Sequence, residues 1–163
     1  MSGVSNVHGA KRAIIDIMSE SRYTLISIKR TLYALNNLGS PCTDMARLSV
    51  IEHMVNRVLD YMENMVEYRP STEFVVEAYS MLRVARALAE TAPPEIRQSL
   101  ASLENMTGYL LSFALDYEVE ETEEVIINKI NEKIEKHNKK AFKIIKEMCT
   151  KDRTKQSNAR TNF

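Results

Sequence analysis

Apolar side chains recur at alternating three- and four-residue steps along most of this 163-residue chain, and that spacing is typical of helices with one buried side. Breaks at Gly39-Ser40-Pro41, Pro70 and Pro93-Pro94 interrupt the pattern, because proline cannot continue a helical hydrogen-bond ladder. The chain has four Gly and four Pro, too few for a turn-dense β-sandwich or barrel. We therefore predict an all-α fold, a helical hairpin plus shorter packed helices, in five segments: 10–38, 44–68, 72–91, 94–117 and 123–150.

These segments form one predicted domain over residues 10–150, with flexible tails at 1–9 and 151–163. A chain of this length buries roughly two-thirds of its unfolded surface, so it needs no covalent support to fold. The short connections predict that neighbouring helices run antiparallel or continue one another after a bend.

The composition predicts a soluble, cytoplasmic protein. No apolar run approaches the ~20 residues that a membrane-spanning helix needs, and the N-terminus lacks the apolar region of a signal peptide. Cys42 and Cys149 have no CxxC or Cys/His spacing, so we expect neither a zinc site nor a disulfide framework.

The sequence contains no motif that points to catalysis. GxGxxG, GxxxxGK[ST] and GxSxG are all absent. His53 follows Glu52 without a repeated ExxH pair, and His137 lies on an apolar stripe, where a hydrogen-bonded core histidine is the better interpretation. We therefore predict that the protein is not an enzyme and uses neither a metal nor a cofactor.

The sharpest charge pattern lies in the fifth segment, where lysines line one side of the predicted helix beside an apolar stripe. At 100° per residue they fall within an arc of about 80°. This arrangement suits an anionic surface, either lipid headgroups or a phosphate backbone. The alternative is a helix packed on a bundle, with its lysines reaching into solvent. The residues are Lys129, Lys133, Lys136, Lys140 and Lys143.

A second group of basic residues lies in the first segment. It comprises Lys11, Arg12, Arg22, Lys29 and Arg30. Lys11, Arg22 and Lys29 point within about 20° of one another, beside Met18. A basic, partly apolar side near the N-terminus suits contact with a membrane or a nucleic acid. The alternative is scattered charge that keeps the protein soluble.

An apolar stripe rich in methionine runs along the second segment with 3-4-3-4-3 spacing. We interpret its side chains as adaptable core or helix–helix contacts, and we expect such apolar stripes to join neighbouring copies of the protein. The stripe consists of Leu48, Ile51, Val55, Val58, Met62 and Met65.

Between residues 48 and 111 the chain resembles the archaeal cell-division branch of the ESCRT-III family. One helix of that family reads L-x-L-E-x-V-x-x-R-L, and here residues 50–58 read VIEHMVNRV, with Glu and Arg at the same separation. A later helix of the family has R-x-x-R spacing, followed by P-E-[VI] and a leucine. In this chain Arg83 and Arg86 precede Pro94-Glu95-Ile96.

The resemblance implies a helical hairpin made by the first two segments. It also implies subunits that polymerise side by side into curved filaments on membranes, with the basic side of the first helix toward lipid. The family's acidic C-terminal region folds back and inhibits assembly, a role that Asp116 to Glu124 would take here.

We therefore predict an ESCRT-III-like protein that self-assembles, lies at the periphery of a membrane and remodels anionic bilayers. Its partners would be further copies of itself, related subunits and the membrane surface. The alternative is a protein that packages nucleic acid without sequence preference, as a helical nucleocapsid or nucleoid subunit, with the fifth segment on the DNA phosphate backbone. A plain helical adaptor without an anionic partner is the third interpretation.

Overall fold

The computed structural model describes the backbone of residues 2–65, 67, 69–117 and 122–161, and the side chains of residues 8–65, 67, 69–115 and 122–151. The regular structure in this part of the chain is helical throughout, which confirms the predicted all-α fold. The five helices are α1 (Ser2–Asn37), α2 (Cys42–Glu63), α3 (Thr72–Leu88), α4 (Pro94–Tyr117) and α5 (Glu123–Thr161).

The first four helices form a closed ring. Both α1 and α3 pack against α2 and α4, and α5 lies outside the ring against α2 and α3. Short connections make sequential helices antiparallel. Helices α1 and α4 are antiparallel as well. Gly9 lies near Phe113 and Ser27 near Glu95, so residue numbers rise along α1 as they fall along α4. The result is an up-down-up-down four-helix bundle with one added outer helix.

The core lies at the centre of the ring, where each helix turns its apolar stripe inward. Completely buried side chains come from all four ring helices, including Ile14 of α1, Ile51 of α2, Leu82 of α3 and Leu100 of α4. Because burial of such a side chain contributes about 1.5–3 kcal/mol, the shared core is the main source of stability in the bundle.

The apolar stripe of α2 belongs to this core, which corrects its predicted role in joining copies. All of its side chains are buried, because α1 covers one side of α2 and α3 the other. A second copy therefore reaches none of them without opening the bundle. The buried side chains are Leu48, Ile51, Val55, Val58, Met62 and Met65.

Turn residues account for where the helices end and begin. Gly39 adopts a φ of +64°, in the left-handed region that glycine enters without steric cost. The Ser40 amide then donates to the Leu35 carbonyl at 3.1 Å and closes the end of α1. At the start of α3, the Ser71 hydroxyl accepts a hydrogen bond from the Phe74 amide at 3.5 Å.

Both terminal helices are longer than the sequence pattern predicts. Residues 2–9 and 151–161 are helical, where we expected flexible tails. Once a helix is nucleated, each added residue gains a backbone hydrogen bond, so polar residues continue it. The start of α1 is also packed, since a Cβ atom at Gly9 would lie 2.7 Å from Phe113 Cζ.

Cys42 at the start of α2 and Cys149 in α5 form a disulfide, with their Cα atoms 5.6 Å apart. The expectation of no disulfide was therefore wrong. The two cysteines are separated by 107 residues, and short cysteine-spacing motifs do not predict a disulfide over such a distance in sequence. They meet because α5 runs antiparallel to α2 on the outside of the ring.

Candidate functional site

The side of α1 that faces away from the bundle combines exposed apolar side chains with basic ones. Ile15, Ile26 and Tyr33 are 44%, 51% and 72% exposed. They lie within about 20° of one another around the helix, and basic side chains flank them within about 60° on both sides. We call this surface the α1 outer face, and it consists of Lys11, Arg12, Ile15, Arg22, Ile26, Lys29, Arg30 and Tyr33, all exposed.

The two acids of α1, Asp16 and Glu20, project outside this arc. An acid from α2 does reach it, because Arg22 Nη2 lies 3.4 Å from Glu63 Oε1, with both side chains about half exposed. Exposed pairs of this kind contribute about 0–1 kcal/mol, so Arg22 exchanges Glu63 for another anion at little cost. Lys11 also has an interaction within the chain.

Small polar residues on the inner side of α1 fix the rotation of the helix. Thr24 Oγ1 and Ser99 Oγ of α4 are in direct contact, and Ser99 donates to Glu20 Oε1 at 2.7 Å. Ser27 donates to Glu95 Oε1 of α4 at 3.0 Å. Thr24, Ser27 and Ser99 are buried. Rotating α1 would leave buried polar groups without partners, which costs about 1–3 kcal/mol for each group.

The same contacts keep carboxylates away from the α1 outer face. Tyr23 donates to Glu95 Oε1 at 3.0 Å, and this hydrogen bond raises the pKa of Tyr23. Glu95 is therefore engaged by hydroxyl groups. Among the described side chains, no ion pair joins Arg12, Lys29 or Arg30 to an acid. These three positive charges remain available to an outside anion.

Lys133, among the five predicted lysines of α5, is paired with an acid of α3, which corrects its assignment to an anionic-surface site. Lys133 is half-buried, and its Nζ lies 2.5 Å from Glu77 Oε2 of α3. His137 Nε2 lies 2.7 Å from the other oxygen, Oε1, of the same carboxylate. His137 is thus a partnered, largely buried histidine, as its place on the apolar stripe predicts.

Glu77 is held ionised by these two neighbours. Burial acts to raise its pKa, but the hydrogen bond from Lys133 and the charges of His137 and Lys133 outweigh that effect. The net result is a pKa below the ordinary value of 4.5. The cluster is therefore an ionic attachment of α5 to α3.

The other lysines, Lys129, Lys136, Lys140 and Lys143, are exposed on the outer side of α5, and we call them the α5 lysine face. Lys129 also has an interaction within the chain. Because α5 packs on α2 and α3 whereas α1 packs on α2 and α4, the α5 lysine face and the α1 outer face lie on different sides of the bundle. A single flat surface contacts one of them at a time.

The two arginines of the R-x-x-R spacing bind a carboxylate of α4. Glu104 is 12% exposed, and its oxygens lie 3.4 Å from Arg83 Nε and 2.7 Å from Arg86 Nη1. A groove of about 880 Å³ beside them also contains Arg97 and Glu90. Opposite charges nearly balance in this groove, so we assign no anion to it.

The apolar part of the α1 outer face was not predicted. Met18 was expected beside the basic residues, but Met18 is half-buried, and the exposed apolar residues are Ile15, Ile26 and Tyr33. Their spacing of 11 and 7 residues fits one side of a helix and was a readable signal. Periodicity alone does not reveal which apolar side of a helix is left uncovered.

Two predicted features fall outside the described part of the chain. Within the acidic stretch from Asp116 to Glu124, the backbone of residues 118–121 and the side chains of residues 116–121 are not described. For the basic tail, the side chains of residues 152–163 are not described. Their roles in inhibition and in phosphate binding therefore stay predictions.

Comparison with known proteins finds no family model, no curated protein and no solved structure that matches the chain. The ESCRT-III resemblance stays a prediction that rests on the residues quoted for it. Among the described side chains, no three His, Cys, Asp or Glu residues come together in a way that would hold a metal ion. Likewise, none of the described helices has a stretch long and apolar enough to cross a membrane.

Proposed function

We propose that the protein is a non-enzymatic helical protein that binds anionic membrane surfaces peripherally, through the α1 outer face. The observation that supports this most strongly is the exposure of Ile15, Ile26 and Tyr33 in the middle of a basic surface. A helix lying in the membrane interface inserts such apolar side chains among the headgroups and sets its basic side chains against the lipid phosphates. Tyrosine favours the same interfacial level.

The size of the surface limits how tightly one copy binds. From Lys11 to Tyr33 the helix extends about 33 Å. Each Lys or Arg near an anionic membrane contributes on the order of 1 kcal/mol, so the five basic residues supply about 5 kcal/mol at most. That attraction falls with added salt, because ions screen exposed charges over a Debye length of about 10 Å at 0.1 M. A single copy therefore binds reversibly.

The charge of the α1 outer face favours a membrane over a second copy as its partner. Exposed apolar side chains repeated along one side of a helix are suited to an interaction surface. Two α1 outer faces brought together would bring basic side chains against basic side chains, and such contacts between like charges are unfavourable. An anionic bilayer satisfies the charge and the apolar groups at the same time.

Assembly of bound copies into a membrane-remodelling coat is the second part of the proposal, and the ESCRT-III resemblance supports it. The α2 stripe does not supply the lateral contacts, because it is part of the core. Copies that lie on a membrane through α1 keep α3 and α5 turned away from the bilayer, free to contact neighbours or related subunits. Lateral contacts would multiply the weak binding of each copy through avidity.

The α5 lysine face favours a second candidate function, packaging of nucleic acid without sequence preference in a virion or nucleoid. Lys136, Lys140 and Lys143 are exposed on one side of α5 at steps of four and three residues. Such a row neutralises phosphates on a nucleic-acid backbone, and binding then weakens steeply as salt increases.

A pair of charge-reversal variants separates the two candidates. One variant carries Lys29→Glu and Arg30→Glu on the α1 outer face, and the matched control carries Lys140→Glu and Lys143→Glu on the α5 lysine face. All four side chains are exposed, so the bundle should stay folded in both. Sedimentation with anionic and with zwitterionic vesicles is measured beside a gel shift with duplex DNA.

The membrane proposal predicts that wild type and the α5 variant sediment with anionic vesicles. The α1 variant should lose binding about 100-fold or more, because four unit charges are changed at about 1 kcal/mol each. Tubules or filaments on the vesicles, seen by electron microscopy, would support assembly. Loss of DNA binding in the α5 variant, with unchanged vesicle binding in the α1 variant, would contradict the membrane proposal and favour the second candidate.

A further inference from the structure

We infer that the Cys42–Cys149 disulfide is a redox-sensitive clasp that holds the C-terminal half of α5 on the bundle. The disulfide joins the outer helix to α2 and leaves the ring of α1 to α4 without a covalent tie of its own. Cys42 is half-buried and Cys149 is 8% exposed, so Cys42 is the more exposed residue of the pair. This inference is independent of the membrane proposal.

The two halves of α5 are attached in different ways. The first half buries Ile126 and Ile130, and it is tied to Glu77 by Lys133 and His137. The second half begins after His137 and reaches Cys149 about 18 Å further along the helix. Among its described side chains no ion pair to another helix is seen, whereas the first half has one, and Thr150 has a further interaction within the chain.

The apolar contact of the second half is small. Ala141 and Ile145 are buried and Ile144 packs partly buried against the core, whereas Phe142 and Met148 are exposed. One alanine, one buried isoleucine and one partly buried isoleucine are a small apolar contact to set against the entropy gained on release. Beyond His137 the disulfide therefore adds a covalent attachment to a small apolar contact.

The surface beneath this half of α5 is apolar. Ala46 and Val50 follow Cys42 by one and two helical turns and so lie on the same side of α2. Both are buried. Ile145 and Ala141 precede Cys149 by one and two helical turns. Because α5 is antiparallel to α2, these two residues lie over the same strip of α2. Release of the second half of α5 would uncover an apolar strip on α2 that the oxidised protein hides.

The opening reaction needs a dithiol reductant, such as a reduced CxxC protein or dithiothreitol. One of its thiolates attacks the Cys42 sulfur, the bond between the cysteines breaks, and the Cys149 sulfur leaves and takes up a proton. The second thiolate of the reductant then attacks the mixed disulfide and releases Cys42, which is also protonated. Two electrons pass to the cysteine pair, and the reductant becomes a cyclic disulfide.

Amide hydrogen exchange on the full chain, oxidised and after dithiothreitol, tests the clasp. Removing a disulfide shifts an opening equilibrium by roughly 30-fold or more. We expect reduction to accelerate exchange at residues 141–150 by roughly this factor relative to the amides of α1 to α4 in the same sample. The double variant Cys42→Ser, Cys149→Ser should exchange like reduced wild type and should not respond to dithiothreitol.

Two results would overturn the inference that the disulfide is a clasp for α5. One is exchange at 141–150 that is the same in oxidised and reduced protein. The other is an equal acceleration in α5 and in α1 to α4, which would mean that the disulfide stabilises the whole molecule against unfolding. If the serine variant fails to fold, the comparison of oxidised and reduced wild type decides the question alone.

Discussion

His137 of α5 and Glu77 of α3 lie 2.7 Å apart, measured from Nε2 to Oε1. Together with Lys133, this contact ties the outer helix to the ring through polar side chains around a largely buried carboxylate. A buried ionic contact depends on the protonation state of its members, so the attachment of α5 should depend on pH.

The attachment of α5 should weaken in acid. The pKa of Glu77 is lowered below 4.5 in the folded protein, so its contribution to stability is complete above about pH 4.5 and is lost as the pH falls through the folded value. We expect amide protection at residues 126–137 to decrease below about pH 4.5. The measurement is hydrogen exchange across a pH series.

The matched control is Glu77→Gln. It should lower the free energy of unfolding at neutral pH by about 2 kcal/mol, because it removes hydrogen bonds between charged groups. It should also flatten the acid dependence of α5. A variant with the same acid dependence as wild type would mean that other groups control the attachment.

The assignment of the α2 stripe to the core predicts a large effect of a single truncation. Ile51→Ala should lower the free energy of unfolding by about 2–5 kcal/mol, because it leaves a cavity in a completely buried site. The control Ile26→Ala, on the α1 outer face, should change it by about 0.5 kcal/mol or less. Urea denaturation measures both. If Ile51→Ala left stability unchanged and impaired self-association, the original interpretation of the stripe would be right.

Substitution of two serines of the bundle by alanine should change the free energy of unfolding in opposite directions. Ser21 Oγ is buried and has no hydrogen-bond partner among the described residues, so Ser21→Ala should raise the free energy of unfolding by about 1 kcal/mol. Ser99 donates to Glu20, so Ser99→Ala should lower it by about 1–2 kcal/mol. Thermal unfolding of both variants checks this contrast, and destabilisation by Ser21→Ala would contradict it.

Gly39 should be needed for its backbone conformation alone. A Cβ atom at this position would meet nothing within 4 Å, but the φ of +64° is unfavourable for other residues. Gly39→Ala should therefore cost about 1 kcal/mol of stability. Gly39→Asn should cost less, because asparagine tolerates the left-handed region. Equal effects of the two substitutions in urea denaturation would point to a different cause.

Local patterns account for the parts of the fold that could be predicted. The spacing of apolar residues gave the five helices, and Gly39-Ser40-Pro41 gave the end of α1. The same spacing did not distinguish a core stripe from a contact between copies, because both require apolar residues at Ile51 and Val55. That distinction depends on which helices surround α2.

Contacts between distant parts of the chain explain what could not be predicted. The Cys42–Cys149 disulfide depends on where α5 packs. So does the ion pair with Glu77 that takes Lys133 out of the exposed lysine row. The basic residues of α1 were predicted from their charge and from the angle at which each projects around the helix axis. Exposure of Ile15 and Ile26 follows from the position of α1 in the ring, which periodicity does not specify.

The most direct test of the membrane proposal places an environment-sensitive fluorophore at single positions. Ile26→Cys on the α1 outer face carries it in one protein, and Lys140→Cys on the α5 lysine face carries it in the other. With anionic vesicles, we expect a blue shift and shielding from an aqueous quencher at position 26 and neither change at position 140. Shielding at position 140 with none at position 26 would contradict the account.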